Sequence, residues 1–134
     1  MIALDASALL AFLFAEAGHE RVAGVIDDCC LSAVNLSEVL ARFVRDGHDA
    51  AAVLERLAGS GIELVPFLAE DAALAAMLEP ATRAAGLSLG DRACLALALS
   101  RGIPAMTADR AWARIGAEVE IEVQLIRGRA ERAR

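Results

Sequence analysis

The sequence contains no lysine and no tyrosine, so all thirteen of its basic side chains are arginines. The missing lysine excludes the phosphate-binding loop of nucleotide hydrolases and the Schiff-base enzymes, because both depend on a lysine ammonium group. Only two histidines are present, and the patterns HExxH, GxGxxG and GxSxG do not occur. The sequence therefore gives no support to zinc protease, dinucleotide-binding or serine hydrolase chemistry.

Cysteine and long apolar runs are also scarce. The three cysteines include the adjacent pair Cys29 and Cys30 and show no CxxC spacing, so we interpret them as small buried side chains in a reducing compartment. No apolar run approaches the roughly 20 residues that a membrane span needs. The first residues, MIALDASALLAFLF, lack a basic residue and include Asp5, which makes them a poor secretory signal. We expect a cytoplasmic protein without a membrane segment.

The residues that are present favour one folded domain. The chain has 134 residues, 57% of them hydrophobic, and a mean hydropathy of +0.50. The net charge is −6, yet residues 127–134 (RGRAERAR) carry +3, which leaves −9 on residues 1–126. We therefore assign a domain to residues 1–126 and a basic tail to residues 127–134. Such an acidic body repels nucleic acids on average, so a partner of that kind needs local arginines or bound cations.

Short apolar segments alternate with helical ones along the whole chain. We predict strands at residues 1–5, 30–33, 62–67, 103–108 and 120–126, and helices between them, including one over 69–86 that Pro80 breaks. This alternation predicts a three-layer α/β/α sandwich with a mostly parallel central sheet. Ligands of such sheets bind beyond the carboxyl ends of the strands, near the reversal of strand order.

Four acidic residues occupy this kind of position. Asp5 and Asp109 directly follow predicted strands, while Glu38 and Asp91 lie in the first turns of helices. The fold could therefore bring them together. Asp91 precedes the apolar sequence ACLALAL, so we expect its carboxylate near the core, where an unpaired charge is costly. A divalent cation would compensate it, and clustered carboxylates suit Mg²⁺ or Mn²⁺.

Each acid also has a purely structural explanation. Asp5 and Asp109 could cap the helices that they precede. The pairs Asn35 with Glu38 and Ser88 with Asp91 have the spacing of a capping box, and Arg42 lies four residues after Glu38, as a surface ion pair requires. On this reading the protein is a catalytically silent α/β binding module, which we keep as the alternative.

Four segments carry a resemblance to a known family. They are IALDASAL, SAVNLSEVLAR, LSLGDRACLALA and PAMTADRAW, and they span nearly the whole chain. In this order they resemble the PIN-domain nucleases, and more narrowly the VapC toxins of bacterial toxin-antitoxin modules. The resemblance implies a PIN-like fold and a metal-dependent endoribonuclease that acts as the toxin of a type II toxin-antitoxin system. Its implied partners are an RNA substrate, a VapB-type antitoxin and a second copy of the chain.

The resemblance also implies roles for individual residues. Asp5, Glu38, Asp91 and Asp109 match the catalytic, metal-binding acids of the family, with Asp5 and Asp91 as direct ligands of Mg²⁺ or Mn²⁺. Ser7, Asn35 and Thr107 match supporting positions. Two of these residues also have a purely structural explanation, which remains open. Ser7 could simply be a residue of a first helical turn, and Asn35 could be an N-cap.

Arginine and tryptophan near the acids suggest contacts with RNA. Arg92 and Arg110 each follow one of the four acids, and a guanidinium group can bind phosphate through two hydrogen bonds. We therefore predict that both bind substrate, although Arg92 could instead form an ion pair. Trp112 could stack on a base or belong to the core. The apolar helices after residues 5 and 34 could form a dimer interface, an antitoxin groove or simply core.

Overall fold

The computed structural model describes residues 1–127; most of the predicted basic tail, residues 128–134, lies outside the described part. A parallel sheet with the order β3-β2-β1-β4-β5 forms its centre. The five strands are short: Ile2–Leu4 (β1), Cys29–Ser32 (β2), Glu63–Val65 (β3), Ala105–Thr107 (β4) and Val123–Leu125 (β5). β5 lies at an edge of the sheet, as β3 does at the other.

Within the described residues, eight α-helices connect or flank the strands. They are Ala6–Leu13 (α1), His19–Ala23 (α2), Ala33–Arg45 (α3), Ala50–Ala58 (α4), Ala69–Met77 (α5), Glu79–Thr82 (α6), Leu89–Arg101 (α7) and Ile115–Val119 (α8). Three 3₁₀ turns complete the described chain, at Ile26–Asp28, Arg83–Ala85 and Arg110–Ala113. None of the helices within residues 1–127 is long and apolar enough to cross a membrane.

Each face of the sheet packs against its own helical layer. Successive strand residues point to opposite faces, so Ala3 and Cys30 contact the core that α7 covers, while Leu4 and Leu31 contact the core under α1. Residues 93–98 of α7 are all buried, because this helix crosses the middle of the sheet between two neighbouring helices. The predicted three-layer α/β/α sandwich with a parallel sheet is confirmed.

Each strand begins or ends one to three residues from its predicted bounds, and the clearest differences lie in the Ala-rich segment and in β5. The Ala-rich segment is broken, as predicted, but the break falls at Leu78, between α5 and α6, and Pro80 lies in the first turn of α6, where its missing N–H leaves no hydrogen bond unmade. The last strand is shorter than predicted because Glu120, with a φ of 60°, ends α8 in a left-handed conformation. Pairing with β4 therefore begins only at Val123.

The order of the strands reverses at β1. The chain runs from β1 outward through β2 to β3, and then returns to β4, which pairs with the other side of β1. The carboxyl ends of β1 and β4 are therefore neighbours at the reversal point, which is where ligands bind to open parallel sheets. Asp5 follows β1 there, and Thr107 ends β4.

Candidate active site

Asp5 is a buried acid at the reversal point of the sheet. Its side chain is 3% exposed and caps α1, where Oδ1 accepts a hydrogen bond from the Ala8 amide at 2.8 Å. The hydroxyl of Ser7 donates to the same carboxylate at 2.8 and 2.9 Å. Thr107 donates to Oδ2 at 2.6 Å from the neighbouring strand. Donors from two strand ends therefore fix the position of this carboxylate.

The two hydroxyl groups also bind the backbone that follows β4. Ser7 Oγ accepts from the Ala108 amide at 2.9 Å, and Thr107 Oγ1 accepts from the Asp109 amide at 3.0 Å. Each hydroxyl thus donates to the Asp5 carboxylate and accepts from a backbone amide that follows β4. The structure places both predicted supporting residues, Ser7 and Thr107, in direct contact with Asp5, and it connects the start of the Asp109 turn to the same network.

The protonation of Asp5 reflects its burial. Burial raises the pKa of the Asp5 carboxyl from 3.8 to about 6, although the hydrogen bonds from Thr107, Ala8 and Ser7 lower it. The negative charge of Asp91 raises the pKa further. A carboxyl group with this pKa is partly protonated near neutral pH, and a nearby cation would favour its charged form.

Glu38 belongs to α3, and its carboxylate faces the first turn of α7. Its Oε1 accepts from Asn35 Nδ2 at 3.0 Å, and the same nitrogen donates to the Gly90 carbonyl at 3.0 Å. Partial burial of the carboxylate raises the pKa of Glu38, the Asn35 bond lowers it, and the charge of Asp91 raises it. The predicted supporting residue Asn35 therefore contacts the predicted catalytic residue Glu38.

Two structural expectations about this helix are wrong. Asn35 does not cap α3, because the helix begins two residues earlier and the Ser32 hydroxyl accepts from the Val34 amide. Arg42 pairs with Asp46 at 3.2 Å rather than with Glu38. The carboxylate of Glu38 is directed at Asn35 and Gly90 instead, which leaves Arg42 to the acid at the end of the helix.

Asp91 and Asp109 both act as helix caps in this structure. Asp91 Oδ2 accepts from the Ser88 amide at 2.8 Å in the predicted capping box, and Asp109 Oδ1 accepts from the Ala111 amide at 2.9 Å. Asp91 is half-buried and Asp109 is exposed. The expectation of a carboxylate next to the core is therefore wrong for Asp91; among these four acids, Asp5 has that environment.

Three of the four acids influence one another electrostatically. The charge of Asp91 raises the pKa of both Asp5 and Glu38. Below them, burial raises the pKa of the Cys94 thiol well above its usual range, and the charges of Asp5, Asp91 and Glu38 add to this effect. Within residues 1–127, the salt bridges involve none of the four acids. The carboxyl edge of the sheet therefore carries concentrated negative charge.

The residue types at this edge fit a hard divalent cation, since carboxylate oxygens are the ligands that Mg²⁺ and Mn²⁺ prefer. Their placement is looser than a finished metal site: among residues 1–127, no three Asp, Glu, His or Cys side chains stand close enough to hold an ion together. The reason is visible in the hydrogen bonds, because Asp91 and Asp109 face backbone amides of their own helices.

The predicted substrate-binding arginines lie at the rim. Arg92 Nη1 donates to the Leu87 carbonyl at 3.4 Å. Among residues 1–127, Arg92 forms no salt bridge. Arg110 is exposed in the turn after β4. Trp112 is fully buried in the core, which excludes it as a base-stacking surface in this conformation.

Gly90 is the site residue that the sequence analysis missed. It lies directly against the Glu38 carboxylate. A sequence signal was present, since glycine is a poor choice for the first turn of a helix whose other residues are mostly alanine and leucine. Glycine beside a candidate catalytic acid indicates a close approach by another group.

Comparison with known families agrees with the fold. The chain belongs to the PIN-domain family, because the model of that family, described as PIN domain, matches residues 2–118. All four acids lie inside the matched range. No curated protein sequence matches the chain.

Several solved structures have the same fold. FitAcB from Neisseria gonorrhoeae is 21% identical with a TM-score of 0.68, and the match covers 94% of this chain and 98% of that one. A toxin-antitoxin complex from Klebsiella pneumoniae is 16% identical with a TM-score of 0.71, covering 95% and 98%. VapC20 of Mycobacterium tuberculosis, described as a toxin that cleaves the sarcin-ricin loop, is 18% identical with a TM-score of 0.70, covering 87% and 95%.

Proposed function

We propose that this PIN-domain protein is a metal-dependent endoribonuclease that acts as the toxin of a type II toxin-antitoxin system. The observation that carries the proposal is the buried Asp5 at the reversal point of the sheet, with Asp91 near enough to raise its pKa and no salt bridge to either acid among residues 1–127. Structures of toxins and toxin-antitoxin complexes with the same fold support it.

Asp5 and Asp91 would hold a Mg²⁺ or Mn²⁺ ion directly, and Glu38 and Asp109 would bind it through water or hold a second ion. When bound, the ion lowers the pKa of a coordinated water and neutralises charge on the scissile phosphate. The protein's own contribution is to fix the acids: Ser7 and Thr107 orient the carboxylate of Asp5. Asn35 does the same for Glu38.

RNA would bind near this edge, and a protein partner would bind at the far ends of α1 and α3. Arg92 and Arg110 would contact phosphates, which the acidic body otherwise repels. A groove between α1, α3 and α4, lined by Leu13, Phe43 and Val53, would accept an apolar segment of a VapB-type antitoxin. A homodimer and a cytoplasmic location complete the proposal, as expected for a toxin that acts on cellular RNA.

Digestion of RNA by the purified protein tests the proposal. We expect cleavage with Mg²⁺ or Mn²⁺, none with a chelator, and products that carry a 5′-phosphate. The Asp5→Asn variant should be inactive yet folded, since an asparagine oxygen still accepts from the Ala8 amide. If wild type cuts no RNA with either metal, or if Asp5→Asn cuts equally well, the alternative of a catalytically silent α/β binding module is favoured.

A further inference from the structure

The carboxylate of Glu38 occupies the space that a side chain at position 90 would fill. A Cβ atom placed on Gly90 would lie 2.5 Å from both Cδ and Oε1 of Glu38, far inside van der Waals contact. The backbone of Gly90 does not require glycine, because its φ is not in the left-handed region. In the first turn of a helix, alanine would be preferred on propensity alone. The close approach of Glu38 is therefore what the glycine accommodates.

Asn35 connects the two residues. This side chain is 1% exposed, and its Nδ2 donates both to Oε1 of Glu38 and to the carbonyl oxygen of Gly90. Both partners can only accept, so the nitrogen of the amide must face them and the side chain has one favourable orientation. Oδ1 is buried and accepts no hydrogen bond from residues 1–127. Asn35 thus ties the first turn of α3 to the first turn of α7.

We infer that Gly90 and Asn35 are positioning residues: the missing side chain of Gly90 seats the carboxylate of Glu38, and Asn35 holds it there, one residue from Asp91. A side chain at position 90 would push the carboxylate away from Asp91, or push α7 away from α3. We call this packing of the Glu38 carboxylate against Gly90 the seat. Its contribution to stability can be measured without RNA or metal. Its catalytic consequence rests on the proposed function.

A double-mutant cycle on thermal stability tests the seat. We expect Gly90→Ala to lower the melting temperature by roughly 3 °C or more in the wild-type background. In a Glu38→Ala background the same change should be neutral or stabilising, because the clashing carboxylate is gone and alanine favours the helix. In an Asn35→Ala background its effect should be smaller than in wild type, because Glu38 is then free to turn aside.

Gly59→Ala is the matched control, since Gly59 ends α4 with a φ of −85° and an added Cβ there meets nothing closer than 3.5 Å. It should behave alike in all three backgrounds. Equal effects of Gly90→Ala with and without the Glu38 carboxylate would overturn the inference.

Cleavage kinetics test the consequence for the site. Misplacement of a catalytic group by about 1 Å can cost about 100-fold in rate, so Gly90→Ala should lower kcat to that extent while KM for RNA stays unchanged. Gly59→Ala should match wild type in both constants. A raised KM with unchanged kcat would contradict a positioning role for Gly90. A positive stability cycle in a protein that cleaves no RNA would remove the proposed function and leave the seat intact.

Discussion

The acids at the carboxyl edge of the sheet are held in two different ways. Asp5 is buried, and hydrogen bonds from Ser7, Ala8 and Thr107 fix its carboxylate from two strand ends. Asp91 and Asp109 are more exposed, and each binds a backbone amide within its own helix end. The first arrangement depends on the assembled sheet, whereas the second is local and would form in almost any helix.

This difference separates the residues that define the site from those that can adapt to a ligand. The hydrogen bonds around Asp5 leave its carboxylate little freedom and lower its pKa, while burial outweighs them and keeps the pKa raised. The capping bonds of Asp91 and Asp109 contribute about 1 kcal/mol each and can be exchanged for a stronger interaction with a cation. Asp5 thus anchors the candidate site, and under the proposed function helix capping would compete with metal binding at the other two positions.

Asparagine substitutions give the sharpest test, because an asparagine oxygen can still accept the amide hydrogen bond at Asp109, the N-cap of its turn, and at Asp91, the third residue of α7. We expect Asp91→Asn and Asp109→Asn to melt within about 1 kcal/mol of wild type. Their RNA cleavage in Mg²⁺ or Mn²⁺ should nevertheless fall below detection, since a carboxylate ligand is lost. Thermal denaturation and RNA digestion of the same preparations measure the two effects.

Asp49 supplies the control for this experiment. It caps α4 in the same way as Asp109 caps its turn, with Oδ1 accepting from the Ala51 amide at 3.0 Å, but it lies away from the edge. Asp49→Asn should leave both stability and cleavage unchanged. Full activity in Asp91→Asn or Asp109→Asn would mean that the corresponding acid is a helix cap and nothing more.

The raised pKa of Asp5 makes the stability of the metal-free protein depend on pH. Its folded pKa of about 6 lies above the unfolded value of 3.8, so the folded state binds the proton more tightly. The stabilisation that comes from this tighter proton binding is complete below pH 3.8 and is lost as the pH rises through about 6. About two pKa units correspond to about 3 kcal/mol. Denaturant unfolding with a chelator, from pH 4 to 8, measures this loss.

Asp5→Asn isolates this contribution, because asparagine does not titrate. The difference in unfolding free energy between wild type and the variant should change across the pH range stated above. Addition of Mg²⁺ at neutral pH should restore the unfolding free energy of the wild-type protein. It should not raise the unfolding free energy of Asp5→Asn. A difference that stays constant with pH would show that Asp5 titrates normally in the folded protein.

The sequence was sufficient to predict the three layers of the fold and the edge of the sheet at which acids at strand ends lie. Alternating apolar segments indicated a parallel sheet, and acids at strand exits such as Asp5 and Asp109 had to lie at one edge of it. These predictions depend on period and order alone. The helix bounds near Pro80 were less accurate, because a proline is compatible both with a kink and with a new first turn.

Contacts between distant segments could not be predicted in the same way. Whether Asp5 or Asp91 is the buried acid depends on how α7 packs across the sheet, and local apolar character favoured the wrong one. The partner of Arg42 was also undetermined, since Glu38 and Asp46 both lie four residues away and only the position of α7 draws Glu38 aside. Gly90 was missed because its contact lies 52 residues away in sequence.

The smallest effect that we expect concerns the hydroxyl of Thr107. Thr107→Val keeps the shape of the side chain but removes the 2.6 Å bond to Asp5 and leaves the Asp109 amide without its acceptor, which should cost about 1–3 kcal/mol at pH 7. Loss of that bond also raises the pKa of Asp5, so the pH-dependent loss of stability should move to higher pH. Thr82→Val is the control, because Thr82 is equally buried and donates to the Leu78 carbonyl away from the acids. It should cost similar stability without moving the pH dependence; equal pH profiles for the two variants would show that Thr107 contributes only packing and one ordinary hydrogen bond.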